Sequence, residues 1–188
     1  VDISDCDDRS DAGPIILWNH RWEHDKNPDG FVRALRQARA AGARFRLIMC
    51  GKNFVQIPPA FDALQQEFSE ELLHFGYADS QEAYHELLMQ SHIALSTSEH
   101  EFFGVSMIEA THFGARPLVP NRLSYPEIFP EKYRYNNDEQ LVRQLTELCS
   151  AWTSGDTMLR ENRQDITLKH GAPSLEQWRQ SFQDLIRE

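Results

Sequence analysis

Short apolar runs alternate with helix-period segments through the middle of this chain, and that alternation constrains the fold more than any single motif. Pro14-Ile15-Ile16-Leu17-Trp18-Asn19 is a continuous apolar run, followed by Asn27-Pro28-Asp29 and then by Phe31, Ala34, Leu35 and Ala38 at helical spacing. The same unit recurs: runs at 45–50, 72–75, 93–96 and 116–119, with helical patterns at 61–68, 81–89 and up to 112, and a short helical segment at 125–129. Residues 132–135 follow as a connecting chain. Runs that are apolar throughout, rather than at every second residue, suit strands covered on both faces. The pattern predicts an α/β fold: a Rossmann-like doubly wound parallel sheet with helices on both faces and ligands at the carboxyl ends of the strands.

The 188 residues suffice for one domain with a core of its own. Residues 1–13 read as a charged linker and 14–150 as the folded domain. Residues 151–188 read as C-terminal helices packing on it, with segments near 158–168 and 175–186. Leu141, Leu145 and Leu148 form one stripe of a covering helix just before them. No apolar run approaches the roughly 18 residues of a membrane span, so no membrane partner is expected. Cys6, Cys50 and Cys149 are scattered and odd in number, which argues against a disulfide scaffold or a cysteine zinc site and for a reducing, cytoplasmic compartment. The chain opens on acidic residues without a basic leader or apolar signal core, and its lack of an initiator methionine suggests a piece of something longer. A formal charge of −10 makes these residues a poor grip for a nucleic-acid backbone, so groups that hold such a partner are expected elsewhere.

The segment from Ser96 to Ala110 carries the most chemistry. Glu101 and Glu109 flank Gly104 at the start of a helix, so two carboxylates that accept from vicinal hydroxyls bracket free amides that favour phosphate. Arg21 and Lys26 follow the first strand, where a guanidinium and an ammonium can clamp a diphosphate and disperse its charge as the bond to a sugar breaks. The plain alternative is that they pair with Glu23 and Asp25 on a solvated loop. Gly51 and Gly76, the latter before Tyr77, fall at two more strand ends, as close-approach points for a base or ribose or as ordinary turn glycines. His20 and His24 lack the helical context and glutamate placement of a two-histidine metal site, and Asp5-Cys6-Asp7 lies in the charged leader; no metal site is expected. The dinucleotide fingerprint and the P-loop are both absent.

Arg21 and Lys26, Gly76-Tyr77-Ala78 before an acidic helix, Glu101 to Glu109, and Gly114-Ala115-Arg116-Pro117-Leu118-Val119 together resemble the donor-binding, C-terminal half of retaining GT-B glycosyltransferases over residues 14–150. The resemblance implies that Arg21 and Lys26 hold the donor diphosphate and Glu101 contacts the sugar. It further implies that the amides of Gly104 and Val105 meet sugar and phosphate, that Glu109 binds ribose hydroxyls, and that Gly51 and Tyr77 belong to the nucleotide-binding set. More narrowly, Trp22-Glu23-His24-Asp25-Lys26, His100-Glu101-Phe102-Phe103-Gly104-Val105 and Tyr125-Pro126-Glu127-Ile128-Phe129-Pro130 resemble the tRNA-queuosine mannosyltransferase group. That likeness implies GDP-mannose as a donor that is not tightly held, no metal, and queuosine in tRNA as acceptor. The acceptor would be bound mainly by an amino-terminal domain outside these residues, so this segment alone is expected to bind donor and turn over little. Phe102 stands where many of the family carry a small residue.

Two other classes fit the same residues. A nucleotide-sugar epimerase or hydrolase would share the phosphate clamp but release an isomer or free sugar, and a non-catalytic module would only bind nucleotide.

Overall fold

The computed structural model describes residues 12–52 and 58–155, with Leu159 and Ile166 beyond them. The first eleven residues of the charged linker, and the helical segments expected near 158–168 and 175–186 apart from those two residues, lie outside the described residues.

Six parallel strands form one sheet: β1 (Ile15–Trp18), β2 (Arg46–Cys50), β3 (Leu72–Gly76), β4 (Ile93–Leu95), β5 (Arg116–Pro120) and β6 (Arg134–Tyr135). Their spatial order is β3-β2-β1-β4-β5-β6. The chain works outward from β1 to one edge, returns to lay β4 against the other side of β1, and works outward again. Ile16 pairs with Leu47 on one flank and with Ile93 on the other. The loops leaving β1 and β4 therefore diverge, and the doubly wound rule puts a ligand crevice between them.

Helices α1 (Pro28–Ala40), α2 (Pro59–Glu67), α3 (Gln81–Gln90), α4 (Val105–His112), α5 (Tyr125–Ile128) and α6 (Asp138–Ser154) cover the sheet. Alternate strand residues sort the core into two layers. Ile16, Trp18, Leu47, Met49 and Leu95 pack with Phe31 and Leu35 of α1, Phe61 and Leu64 of α2, and the Leu141, Leu145, Leu148 stripe of α6. On the opposite face, Ile15, Leu17, Ile48, Ala94 and Val119 pack with Leu88 of α3, Met107 and Ile108 of α4, and Tyr125 of α5. Each fully buried side chain of this size contributes about 1.5–3 kcal/mol, and both faces of β1 collect it. Trp18, fully buried, meets the rings of Phe61 and Phe31 at centroid separations of 5.2 and 5.9 Å.

The predicted α/β class holds, as does the helix placement among the described residues, and two local readings are refined. α2 begins at Pro59, two residues before the apolar pattern, because proline suits the first helical position. Residues 131–135 form a 3-10 turn (Glu131–Tyr133) and the two-residue strand β6, too short to carry a periodicity.

Candidate active site

The loops after β1 and β4 are stitched together across the switch point. The Glu99 and His100 amides donate to the Asp25 carbonyl at 2.8 and 3.2 Å, and the Thr97 hydroxyl is shared between the Lys26 and Asn27 carbonyls at 2.9 and 3.0 Å. Asn27 adopts the left-handed conformation (φ 52°) that asparagine tolerates, and its side chain caps α1 through the Gly30 amide. The 3-10 turn His24–Lys26 thereby turns Lys26 inward, leaving its side chain 8% exposed. The ammonium donates to the His100 carbonyl at 2.6 Å and lies 3.1 Å from Asp25 Oδ2 and 3.5 Å from Glu101 Oε2.

Glu101 is held from both sides. Its Oε1 accepts from the amides of Gly104, Phe102 and Phe103 at 3.0, 3.1 and 3.3 Å, while Oε2 faces Lys26. Burial works to raise this carboxyl. The Gly104 amide, the Lys26 charge, His20 and the Phe103 amide outweigh it and hold the group below the ordinary carboxylate range. Gly104 takes φ 75°, a left-handed turn that lets the chain bend from this nest into α4. The amides of Val105 and Ser106 open α4 ahead of its hydrogen-bond ladder, which favours an anion at that end of the crevice.

His20 and Asn19 tie the β1 exit to the same helix start. The His20 ring nitrogen Nδ1 is 3.3 Å from the Ser106 hydroxyl, and the Asn19 amide donates to the Ser106 carbonyl at 2.9 Å and to the Tyr84 hydroxyl at 3.1 Å. Tyr84 in turn donates to Glu109 Oε2 at 3.1 Å. Burial lowers His20 to about 4, aided by the Lys26 charge and opposed by Glu101 and Asp25, so its imidazole is neutral near pH 7. Burial raises the Glu109 carboxyl, while Tyr84 and His85 favour its ionised form. Among the described residues, Asn19 Oδ1 and His20 Nε2 are buried without partners, each at a cost of about 1–3 kcal/mol.

The structure thus joins Lys26 to Glu101 directly and reaches Glu109 through Asn19 and Tyr84. Arg21 is placed differently: its side chain is 56% exposed and pairs with Glu23 at 3.2 Å, the solvated pairing that the sequence leaves open, and it touches neither Lys26 nor Glu101. Lys26 does pair with Asp25, but inside the fold rather than on a solvated loop. At Gly51 a Cβ would run into the His20 carbonyl and the Trp22 indole, so the close approach this glycine permits is that of the chain's own β1 loop. Tyr77 is exposed, with the Lys52 ammonium 5.9 Å from its ring centre. Among the described residues no group of three His, Cys, Asp or Glu side chains is gathered to hold a metal, and no helix is long and apolar enough to cross a membrane. Sequence reasoning missed Asn19 and Tyr84 as site residues; Asn19 had one available signal, a polar residue ending an apolar strand at the switch point.

The family model of glycosyl transferases group 1 matches residues 7–165. The chain belongs to that family. The tRNA-queuosine alpha-mannosyltransferase of Drosophila melanogaster is 40% identical over 134 residues, which are 71% of this chain and 35% of that protein. The chain therefore spans about a third of the length of this relative. Among solved structures, a glycosyltransferase from Rickettsia africae superposes with a TM-score of 0.70 at 19% identity, covering 95% of this chain and 49% of that one. The C-terminal domain of a glycosyl transferase group 1 protein from Francisella tularensis gives 0.65 at 16% identity, covering 83% and 85%. The group 1 fold here is accordingly the Rossmann-like half of the GT-B architecture.

Proposed function

We propose that this chain is the donor-binding half of a cytoplasmic retaining transferase that moves mannose from GDP-mannose to queuosine in tRNA. The observation that carries this reading is the buried Lys26 ammonium facing Glu101 at the switch point, beside the free amides that open α4. A cation, a carboxylate and a helix start in one crevice are the parts a diphosphate-linked sugar needs. Identity to the fly tRNA-queuosine alpha-mannosyltransferase supports the choice of sugar and acceptor.

In this reading Lys26 binds the diphosphate and Arg21 swings from Glu23 to join it. Glu101 Oε2 accepts from a sugar hydroxyl, the Gly104 and Val105 amides meet sugar and phosphate, Glu109 holds the ribose, and Gly51 and Tyr77 border the base. The sugar C1–phosphate oxygen bond breaks and the acceptor oxygen bonds C1 on the same face. The acceptor proton passes to the departing phosphate, whose charge the two cations disperse without a metal. The acceptor is held by chain beyond these residues. The donor-binding domain comprises residues 14–150.

The test is incubation of the full-length protein with queuosine-bearing tRNA and GDP-mannose, then UDP-glucose, followed by mass spectrometry of the nucleosides. A hexose gained by queuosine from GDP-mannose is the expected result. Free sugar without nucleoside product would instead mark a hydrolase.

A further inference from the structure

Glu109 leaves its crevice-side role to one oxygen. Its Oε2 accepts from the Tyr84 hydroxyl at 3.1 Å, and among the described residues Oε1 accepts from nothing. Tyr84 lies in the middle of α3 and is itself fixed by Asn19, whose two amide hydrogens go to the Tyr84 hydroxyl at 3.1 Å and the Ser106 carbonyl at 2.9 Å. Ser106 stands one turn before Glu109 on α4, so Asn19 sets the tyrosine and the glutamate's own helix in one frame. The end of β1, α3 and the start of α4 are thus joined in one hydrogen-bonded chain that ends, through the Tyr84 hydroxyl, on a single carboxylate oxygen. Asn19 accepts an unpartnered buried carbonyl oxygen to make this arrangement.

We propose that Tyr84, held by Asn19, is a positioning residue that orients Glu109 so that its second carboxylate oxygen is left to accept from the ribose diol of a bound nucleotide. This rests on the reading of Glu109 as the ribose-binding group. Tyr84 is suited to the task because burial raises its phenol, which stays protonated and donates at any pH the protein meets. The other titratable group acting on Glu109 is His85, on the same helix as Tyr84. Without the Tyr84 hydroxyl the carboxylate loses its fixed donor, and burial, opposed only by His85, pushes its protonation upward.

The experiment is calorimetric titration of the protein, of its Tyr84→Phe and Glu109→Gln variants, and of the double variant, with GDP and with 2′,3′-dideoxy-GDP. Wild type is expected to favour GDP by about tenfold or more, the value of a hydrogen bond to a charged group. Tyr84→Phe loses most of that preference while its affinity for the dideoxy nucleotide stays put, which also shows that the variant is folded. In the Glu109→Gln background the tyrosine change has no further effect. A Tyr84→Phe variant that keeps the full preference, or that loses affinity for both nucleotides equally, overturns the positioning role. Wild type that binds both nucleotides equally overturns the ribose reading of Glu109, and this inference with it.

Discussion

Lys26 and Glu101 lie 75 positions apart in the chain, and their side chains meet at 3.5 Å. Between them pass two strand exits joined by the Thr97 hydroxyl and the Asp25 carbonyl, so the contact exists only when β1 and β4 are neighbours. Replacing Lys26 by alanine removes the one buried cation that, among the described residues, faces Glu101. GDP affinity is then expected to fall by roughly 2–5 kcal/mol, the range for truncating one partner of a desolvated charge pair. Titration calorimetry showing the same affinity in the variant would refute the clamp.

Arg21 is expected to behave differently because it is a rim charge. Its exposed pair with Glu23 is worth about 0–1 kcal/mol, so Arg21→Ala leaves the unfolding free energy within about 1 kcal/mol of wild type. Its contribution to GDP binding lies chiefly in the association rate, which should become less salt-dependent in the variant. Stopped-flow traces over a range of ionic strength decide this. An unchanged salt dependence would mean that Arg21 does not steer the nucleotide into the crevice.

How far the sequence foretold this arrangement depends on the range of the interaction. Strand and helix identity are local, and the continuous apolar runs around Ile15 and Ile48 announced strands covered on both faces. The nest at Glu101 is nearly local as well: the carboxylate captures amides one to three residues ahead, and Gly104 supplies the left-handed turn. What stayed hidden depends on distance and direction. Nothing in the loop 20–27 distinguishes the side chain that turns inward, Lys26, from the one that turns outward, Arg21; contacts from the loop after β4 make that choice. Tyr84 reads as one more aromatic on an amphipathic helix until α3 is laid beside α4. The glycine signal at 51 was legible, but its cause was the β1 loop lying across it.

His20 gives the site a pH signature of its own. Its folded value of about 4 lies below the ordinary 6.5, so the unfolded chain binds the proton first as pH falls. The stability tied to neutral His20 is fully present above pH 6.5 and is lost as pH drops from there to about 4. The amount is on the order of 3 kcal/mol at roughly 1.4 kcal/mol per unit. Glu101, held below its ordinary value, adds a loss of the same sign further down. In His20→Asn the difference from wild type should shrink steadily across that window in urea titrations. A difference that does not change with pH would show that His20 is not buried neutral.

Two glycines of the site separate crowding from backbone conformation. Gly104 has φ 75°, and an added Cβ would sit 3.0 Å from the Tyr125 ring, so Gly104→Ala carries a left-handed penalty of about 1–2 kcal/mol with mild crowding. Gly51 has no such φ, yet its Cβ would meet the His20 carbonyl and lie 2.7 Å from the Trp22 indole, which is wedged between Phe61 and Phe75. Neither neighbour can yield cheaply: one is backbone and the other is stacked in the core. Gly51→Ala should therefore cost about 3 kcal/mol or more, the upper end of overpacking, and shift the loop that carries Arg21 and Lys26. Denaturant unfolding and GDP titration of the two variants test this together. Gly51→Ala is expected to be the less stable and to weaken GDP binding, because the loop it displaces delivers Lys26 to Glu101. If it proves as stable as Gly104→Ala and binds GDP like wild type, the β1 loop is not held by its contact with Gly51, and the positioning of Lys26 rests on the β4 side alone.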